Sequence, residues 1–238
     1  MTYVHRRVKA GGHCLCCSHA DPHRGIARQL LTVKSAGLSR CGRYISDRRS
    51  GASMTSMKRY ALLIRGVNVG TKNSLPMTEL RSMLAGVGCT GVQTYAQSGN
   101  AVFGATLGEV ALTDAIEKVL SDYMRRPIAI ALRTLVQLNA IIEKNPFTHI
   151  ATVPKYLCVT FLSHAPSTSE LAALYAQTWT PEQVEVAGKE IYTWHPNGQG
   201  RSPLAAALGK LQLRGAVTTR NWNTVLVLQR MLDGAEGR

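Results

Sequence analysis

Apolar positions fall into short runs and helical stripes from about residue 58 onward, and show no sustained pattern before it. Residues 59–67 (RYALLIRGV) form a brief apolar run rich in strand formers and broken by a glycine, which predicts a strand. Met77, Leu80, Leu84 and Val87 then recur at helical spacing, with Pro76 at a first-turn position where its missing N–H costs little. Gly88 and Gly91 bracket the exit. Residues 92–97 and 101–103 are strand-like and are parted by Ser98-Gly99-Asn100, a hairpin signal. Leu112, Ile116, Val119, Leu120 and Tyr123 mark a second amphipathic helix, and residues 127–132 a fourth strand. The order βαββαβ predicts an α+β, ferredoxin-like layer of helices on an antiparallel sheet.

The pattern then begins again. After a helix through Leu135, Leu138, Ile141 and Ile142, residues 156–162 read as a strand. Leu171, Leu174 and Tyr175 belong to a helix capped by Ser167 or Thr168. Residues 184–186 and 191–194 form a hairpin across Gly188-Lys189, and Ser202 caps a helix with Pro203 at its first position. A last helix carries Trp222, Val225, Leu228 and Leu232, with Thr218 or Thr219 as its cap. The expectation is two tandem halves, about 57–133 and 155–234, inside a domain covering 57–238.

Charge changes the picture at the front of the chain. Residues 1–56 hold ten basic side chains and two acids, so +8 of the net +14 sits in less than a quarter of 238 residues. With two aromatics and no periodic stripe, that segment buries too little to offset its ordering entropy, and it reads as a disordered basic extension. No apolar stretch fits a secretory signal. A transit-like peptide and a basic arm for nucleic acid remain as readings, beside the preferred one of an overlong gene model with translation starting at Met54 or Met57. His13, Cys14, Cys16, Cys17, His19 and His23 cluster there, but Ser18 alone separates Cys17 from His19, too little chain to close a zinc-finger tetrahedron. No metal site is expected. Cys89 and Cys158 lie among apolar neighbours and read as buried thiols of a cytoplasmic protein. No apolar run approaches the roughly 18 residues a membrane span needs, so no membrane role is expected.

Five blocks carry a family resemblance: 60–73 (YALLIRGVNVGTKN), 77–81 (MTELR), 94–100 (TYAQSGN), 145–147 (NPF) and 219–224 (TRNWNT). In that order, across roughly 58–232, they resemble the DUF1697 family of uncharacterised bacterial proteins. Val67 and Thr71 stand where the family commonly has Ile and Gly. The resemblance implies an α+β fold with two related halves and implies no activity.

The candidate chemistry is anion binding. Arg65, Asn68, Lys72 and Asn73 sit in a glycine-bearing segment between a strand and a helix, where backbone N–H groups and two cations suit phosphate or carboxylate. The segment matches neither G-x-x-x-x-G-K-[ST] nor G-x-G-x-x-G, and no cofactor is expected. Gln97, Ser98 and Asn100 offer polar groups at a hairpin tip, and Arg201 and Ser202 end a second glycine-rich loop ahead of a helix. Arg220, Asn221 and Asn223 flank Trp222; read as helical, Arg220 and Asn223 share a face. Each group also has a purely structural reading, as a turn, a solvated tip or a pin for the last helix. Standard catalytic sets are missing, catalytic residues stay unassigned, and His195 is the sole reasonable general base.

Two function classes survive. The preferred one is a binder of a small anionic or phosphate-bearing ligand, nucleotide-like or otherwise, whose candidate constellation is Arg65, Asn68, Gln97, Asn100, Arg220 and Asn223 if they converge on one cleft. The alternatives are a nucleic-acid-binding module, for which Tyr95 and Phe103 are the only aromatic pair near the hairpin, and a protein-interaction or assembly domain.

Overall fold

The computed structural model describes residues 56–69 and 74–234. The expectations for residues 1–55, including the His/Cys cluster, lie outside the described residues, as do Lys72 and Asn73. The described residues all belong to one compact unit.

The first half runs β1 (Lys58–Ile64), α1 (Met77–Gly86), β2 (Thr90–Tyr95), β3 (Asn100–Ala105), α2 (Glu109–Met124), β4 (Ile130–Thr134) and α3 (Leu135–Glu143). The second repeats it as β5 (Leu157–Leu162), α4 (Thr168–Tyr175), β6 (Gln183–Ala187), β7 (Glu190–Trp194), α5 (Pro203–Lys210), β8 (Val217–Asn221) and α6 (Trp222–Asp233). The sheets have matching orders, β2-β3-β1-β4 and β6-β7-β5-β8, and every strand pair is antiparallel. The α+β fold with two related halves is therefore present, each half closed by an additional helix.

Several strand ends differ from the sequence reading, β1 for example ending at Ile64 instead of residue 67, and three differences bear on the site. Strand β4 lies later than 127–132, because Pro127 has no N–H for a ladder and the strand continues through Arg133, a buried charge held by an ion pair. Pro76 stands just before α1, not in its first turn. The last helix is capped by Asn221, whose side chain accepts from the Thr224 N–H at 3.0 Å; Thr218 and Thr219 lie within β8, a strand the apolar pattern does not reveal. Ser167, not Thr168, caps α4, in a reciprocal capping box with Glu170.

Strand alternation sets up the packing. On β1, Tyr60, Leu62 and Ile64 face Leu80, Leu84, Leu112, Ile116 and Leu120 of α1 and α2. Ala61 and Leu63 face the other way, into a core shared by both halves that holds Leu138 and Ile141 of α3, Val225, Leu228 and Leu232 of α6, and Val159, Phe161 and Tyr192 of the second sheet. Helices α3 and α6 thus fill the space between the inner faces of the sheets. Truncating a residue such as Leu228, fully buried there, costs about 2–5 kcal/mol. The outer face of the second sheet has a smaller cluster: Leu162, Leu171, Leu174, Ile191 and Leu204 under α4 and α5.

Candidate functional site

The register relates the two halves residue by residue. Asn100 opens β3 opposite Leu63, and Glu190 opens β7 opposite Phe161. Arg133 lies opposite Ala61 on β4, and Arg220 opposite Val159 on β8. Both arginines point to the inner face and cross to the other half. The Arg133 guanidinium donates from Nε to Glu190 Oε1 (3.0 Å) and from Nη2 to the Leu162 carbonyl (2.8 Å), and Nη2 also lies 2.8 Å from Glu190 Oε1. Arg220 does the same at the equivalent positions, donating from Nε to Asn100 Oδ1 and from Nη2 to the Ile64 carbonyl (2.8 Å). Its remaining N–H groups reach the Ser98 carbonyl (2.9 Å), Thr218 Oγ1 (2.7 Å) and the Thr219 carbonyl (2.8 Å). A guanidinium has five N–H donors, and all five are used. The halves are joined by two pseudo-symmetric arginine clamps, one closed by a carboxylate and the other by an amide. Burial pushes the Arg220 pKa down to about 10.

This geometry places the sequence-read site residues. Arg220, Asn100 and the Ser98 backbone converge. Asn68 joins them by donating to the Gln97 (2.6 Å) and Leu75 (2.9 Å) carbonyls, while its Oδ1 accepts from the Leu75 N–H (2.7 Å). These polar groups bind one another. Asn100 is fully buried, with Nδ2 donating to Ser98 Oγ (2.9 Å) and the Tyr95 carbonyl (3.2 Å). The tip bends through Gly99 at φ +74°, where a Cβ would collide with Val67 and Ile64. Arg220 lies in a strand, so it does not share a helix face with Asn223, which is exposed in the first turn of α6. Asn221 is occupied as the helix cap.

Arg65 lies elsewhere. It is exposed, its guanidinium has no hydrogen-bond partner among the described residues, and it lines a polar cleft of about 350 Å³ on the outer side of β5 and β8. Thr160 and Thr219, adjacent across those strands and joined hydroxyl to hydroxyl at 2.7 Å, also line it. Gln199, Gln212 and α5 residues Ala205, Leu208 and Gly209 are also part of its wall. In the first half the positions of Thr160 and Thr219 are taken by Leu62 and Leu132, an adjacent pair buried in the core. Arg126 donates to the Gly66 carbonyl (2.9 Å) beside Arg65.

The model of the DUF1697 family, described as a protein of unknown function, matches residues 57–192. The chain belongs to the DUF1697 family. A solved structure of a conserved bacterial protein, SP0830 from Streptococcus pneumoniae, is similar to this DUF1697 chain with a TM-score of 0.63 and 25% identity, covering 74% of this chain and 99% of that one. No curated protein matches.

The second glycine-rich loop of the DUF1697 chain places its groups differently from an anion cradle. Ser202 is buried and accepts from the Ala205 N–H (2.8 Å), and Glu182 Oε2 accepts from the Leu204 N–H (3.0 Å). The start of α5 is therefore already served by the protein's own carboxylate. Burial pushes Glu182 up, but hydrogen bonds from Ser202, His195 and Leu204 outweigh it and hold the carboxyl below its ordinary pKa. His195 is fully buried: its Nδ1 meets both Glu182 Oε1 (3.0 Å) and Ser202 Oγ (2.8 Å), and its Nε2 meets Thr193 Oγ1 (2.9 Å). A nucleophile–base–acid relay needs serine and carboxylate on opposite ring nitrogens, so this is a packing network and not a triad. Arg201 is exposed at the mouth of a separate cleft of about 370 Å³ that includes Trp179 and Glu182. Among the described residues no helix is long and apolar enough to cross a membrane. Arg133, Glu190, Thr160 and Glu182 belong to no short motif, and Thr219 enters one only as the first residue of the 219–224 block; the internal repeat, aligned strand by strand, points to Arg133, Glu190, Thr160 and Thr219.

Proposed function

We propose that this DUF1697 protein binds a small anionic ligand in the cleft formed by Arg65, Thr160, Thr219, Gln199 and Gln212. The observation that carries the reading is the replacement of a buried leucine pair, Leu62 and Leu132, by the hydroxyl pair Thr160 and Thr219 at the same register. A layer packed by hydrocarbon in one half is an open polar cleft in the other, with a guanidinium on its wall that has no hydrogen-bond partner among the described residues. At about 350 Å³ the cleft lies in the range of small-molecule sites. Arg65 supplies a charged anchor for phosphate or carboxylate, and the hydroxyls and amides supply neutral contacts for the rest of the ligand. A nucleic-acid surface would want exposed aromatics on a sheet, but Phe103 is buried under α1 and α2 and Tyr95 packs against the shared core. We place the protein in the cytoplasm, with Cys89 and Cys158 as buried, unpaired thiols.

The test is a calorimetric screen of the full chain against phosphate and carboxylate compounds, repeated on the double variant Thr160→Leu/Thr219→Leu. The hydroxyl pair is part-buried, and circular dichroism with urea unfolding establishes that the variant is folded before it is titrated. The expected result is a ligand that binds the natural sequence and not the variant. Equal binding to both would move the site elsewhere, and no binding across the panel at low salt would end the proposal.

A further inference from the structure

The two arginine clamps differ in the charge of the group that closes them. Glu190 neutralises Arg133, whereas Asn100 presents an amide oxygen to Arg220, and none of the five groups bonded to Arg220 is acidic. A half-buried cation without a countercharge is costly, and the same fold holds a carboxylate at the equivalent position. Among the described residues no carboxylate is bonded to Arg220, and its backbone adjoins the cleft wall. Thr219, on the cleft wall, precedes Arg220 in β8, and Arg65 follows Ile64, whose carbonyl accepts from Arg220. Arg126 adds a further positive charge at Gly66.

We infer that Asn100 sets the charge preference of the Arg65 cleft: by offering an amide where the other clamp offers a carboxylate, it leaves Arg220 to be balanced by an anionic group of the ligand. The inference rests on the anion-binding reading and deepens it, since it selects anionic over neutral ligands of the same shape. Asn100 and Arg220 act from behind the cleft wall as positioning residues, because every Arg220 donor is already engaged inside the protein.

The experiment is titration of the full chain with inorganic phosphate at constant ionic strength, on the natural sequence and on two variants that place a carboxylate against Arg220 from different sides. Asn100→Asp keeps the acceptor for Arg220 Nε, and Thr218→Asp keeps one for Nη1. Circular dichroism establishes which variants are folded, and either one suffices. At an effective dielectric constant of about 20, a unit charge roughly 10 Å from a bound anion changes affinity on the order of tenfold, so both folded variants are expected to bind phosphate about tenfold more weakly. Glu190→Gln, at the other clamp, is expected to leave the affinity unchanged. Undiminished binding by a folded variant overturns the inference and leaves the cleft standing. Loss in Asn100→Asp with full binding in Thr218→Asp also overturns it, since a shape effect would then be responsible. Absence of phosphate and carboxylate binding by the natural sequence removes the cleft itself.

Discussion

Truncating Glu190 to Ala isolates what the carboxylate clamp contributes. The Arg133 and Glu190 side chains are only 6% and 14% exposed, and Glu190 Oε1 is the shared acceptor for Nε and Nη2. Its removal leaves a buried guanidinium bonded to the Leu132 and Leu162 carbonyls, in a cleft that Glu109, Lys144 and Lys189 also line. Removing one partner of a buried ion pair costs about 3–5 kcal/mol, because the other charge stays desolvated and unpaired. For a chain of this length, that loss lowers the melting temperature by roughly 6–20 °C. Urea unfolding of the natural sequence, Glu190→Ala, Arg133→Met and the double variant measures it directly. The double variant is expected to recover at least about 1 kcal/mol relative to the sum of the single losses. Glu190→Gln should lie between, since an amide oxygen serves Arg220 in the equivalent clamp. A loss below about 1 kcal/mol in Glu190→Ala would refute the clamp as a source of stability.

Two further outcomes follow from individual contacts. Asn221→Ala removes the acceptor for the Thr224 N–H and hydroxyl at the start of α6, and is expected to cost about 1 kcal/mol in urea unfolding, whereas Asn221→Asp should cost little. The Ser167 N–H and hydroxyl, followed by the Arg214 N–H, hold the Glu170 carboxyl at about 2, well below its ordinary value of 4.5. A depressed carboxyl contributes stability above its unfolded pKa and loses it as pH falls through the folded one. Stability should therefore drop between about pH 4.5 and pH 2, and Glu170→Gln should flatten that part of the profile.

The repeated βαββαβ order is legible because the helices of the first half carry clean stripes such as Leu112, Ile116 and Leu120, and the central strands are nearly all apolar. Strand β8 escapes a reading by apolar alternation because its inward positions are Thr218 and Arg220, residues that serve the clamp instead of the core. The same cause hides the full length of β4, whose inward position is Arg133. Arg220, Asn100 and Asn68 stand out in the sequence as polar blocks, but their partners lie up to 156 positions away, so their role as mutual ligands cannot be seen locally. Thr160 and Thr219 are unremarkable as single residues. Their meaning comes from Leu62 and Leu132 in the other half, a comparison that needs the strand register.

The most direct test of ligand binding is amide and arginine-side-chain NMR of the full chain during titration with phosphate and with a small carboxylate. Saturable shifts are expected at Arg65 Nε and at the amides of Thr160, Gln199, Gly209 and Thr219, which line one cleft. Shifts confined to Arg201 and Trp179, or a linear response at all basic residues alike, would contradict binding in that cleft.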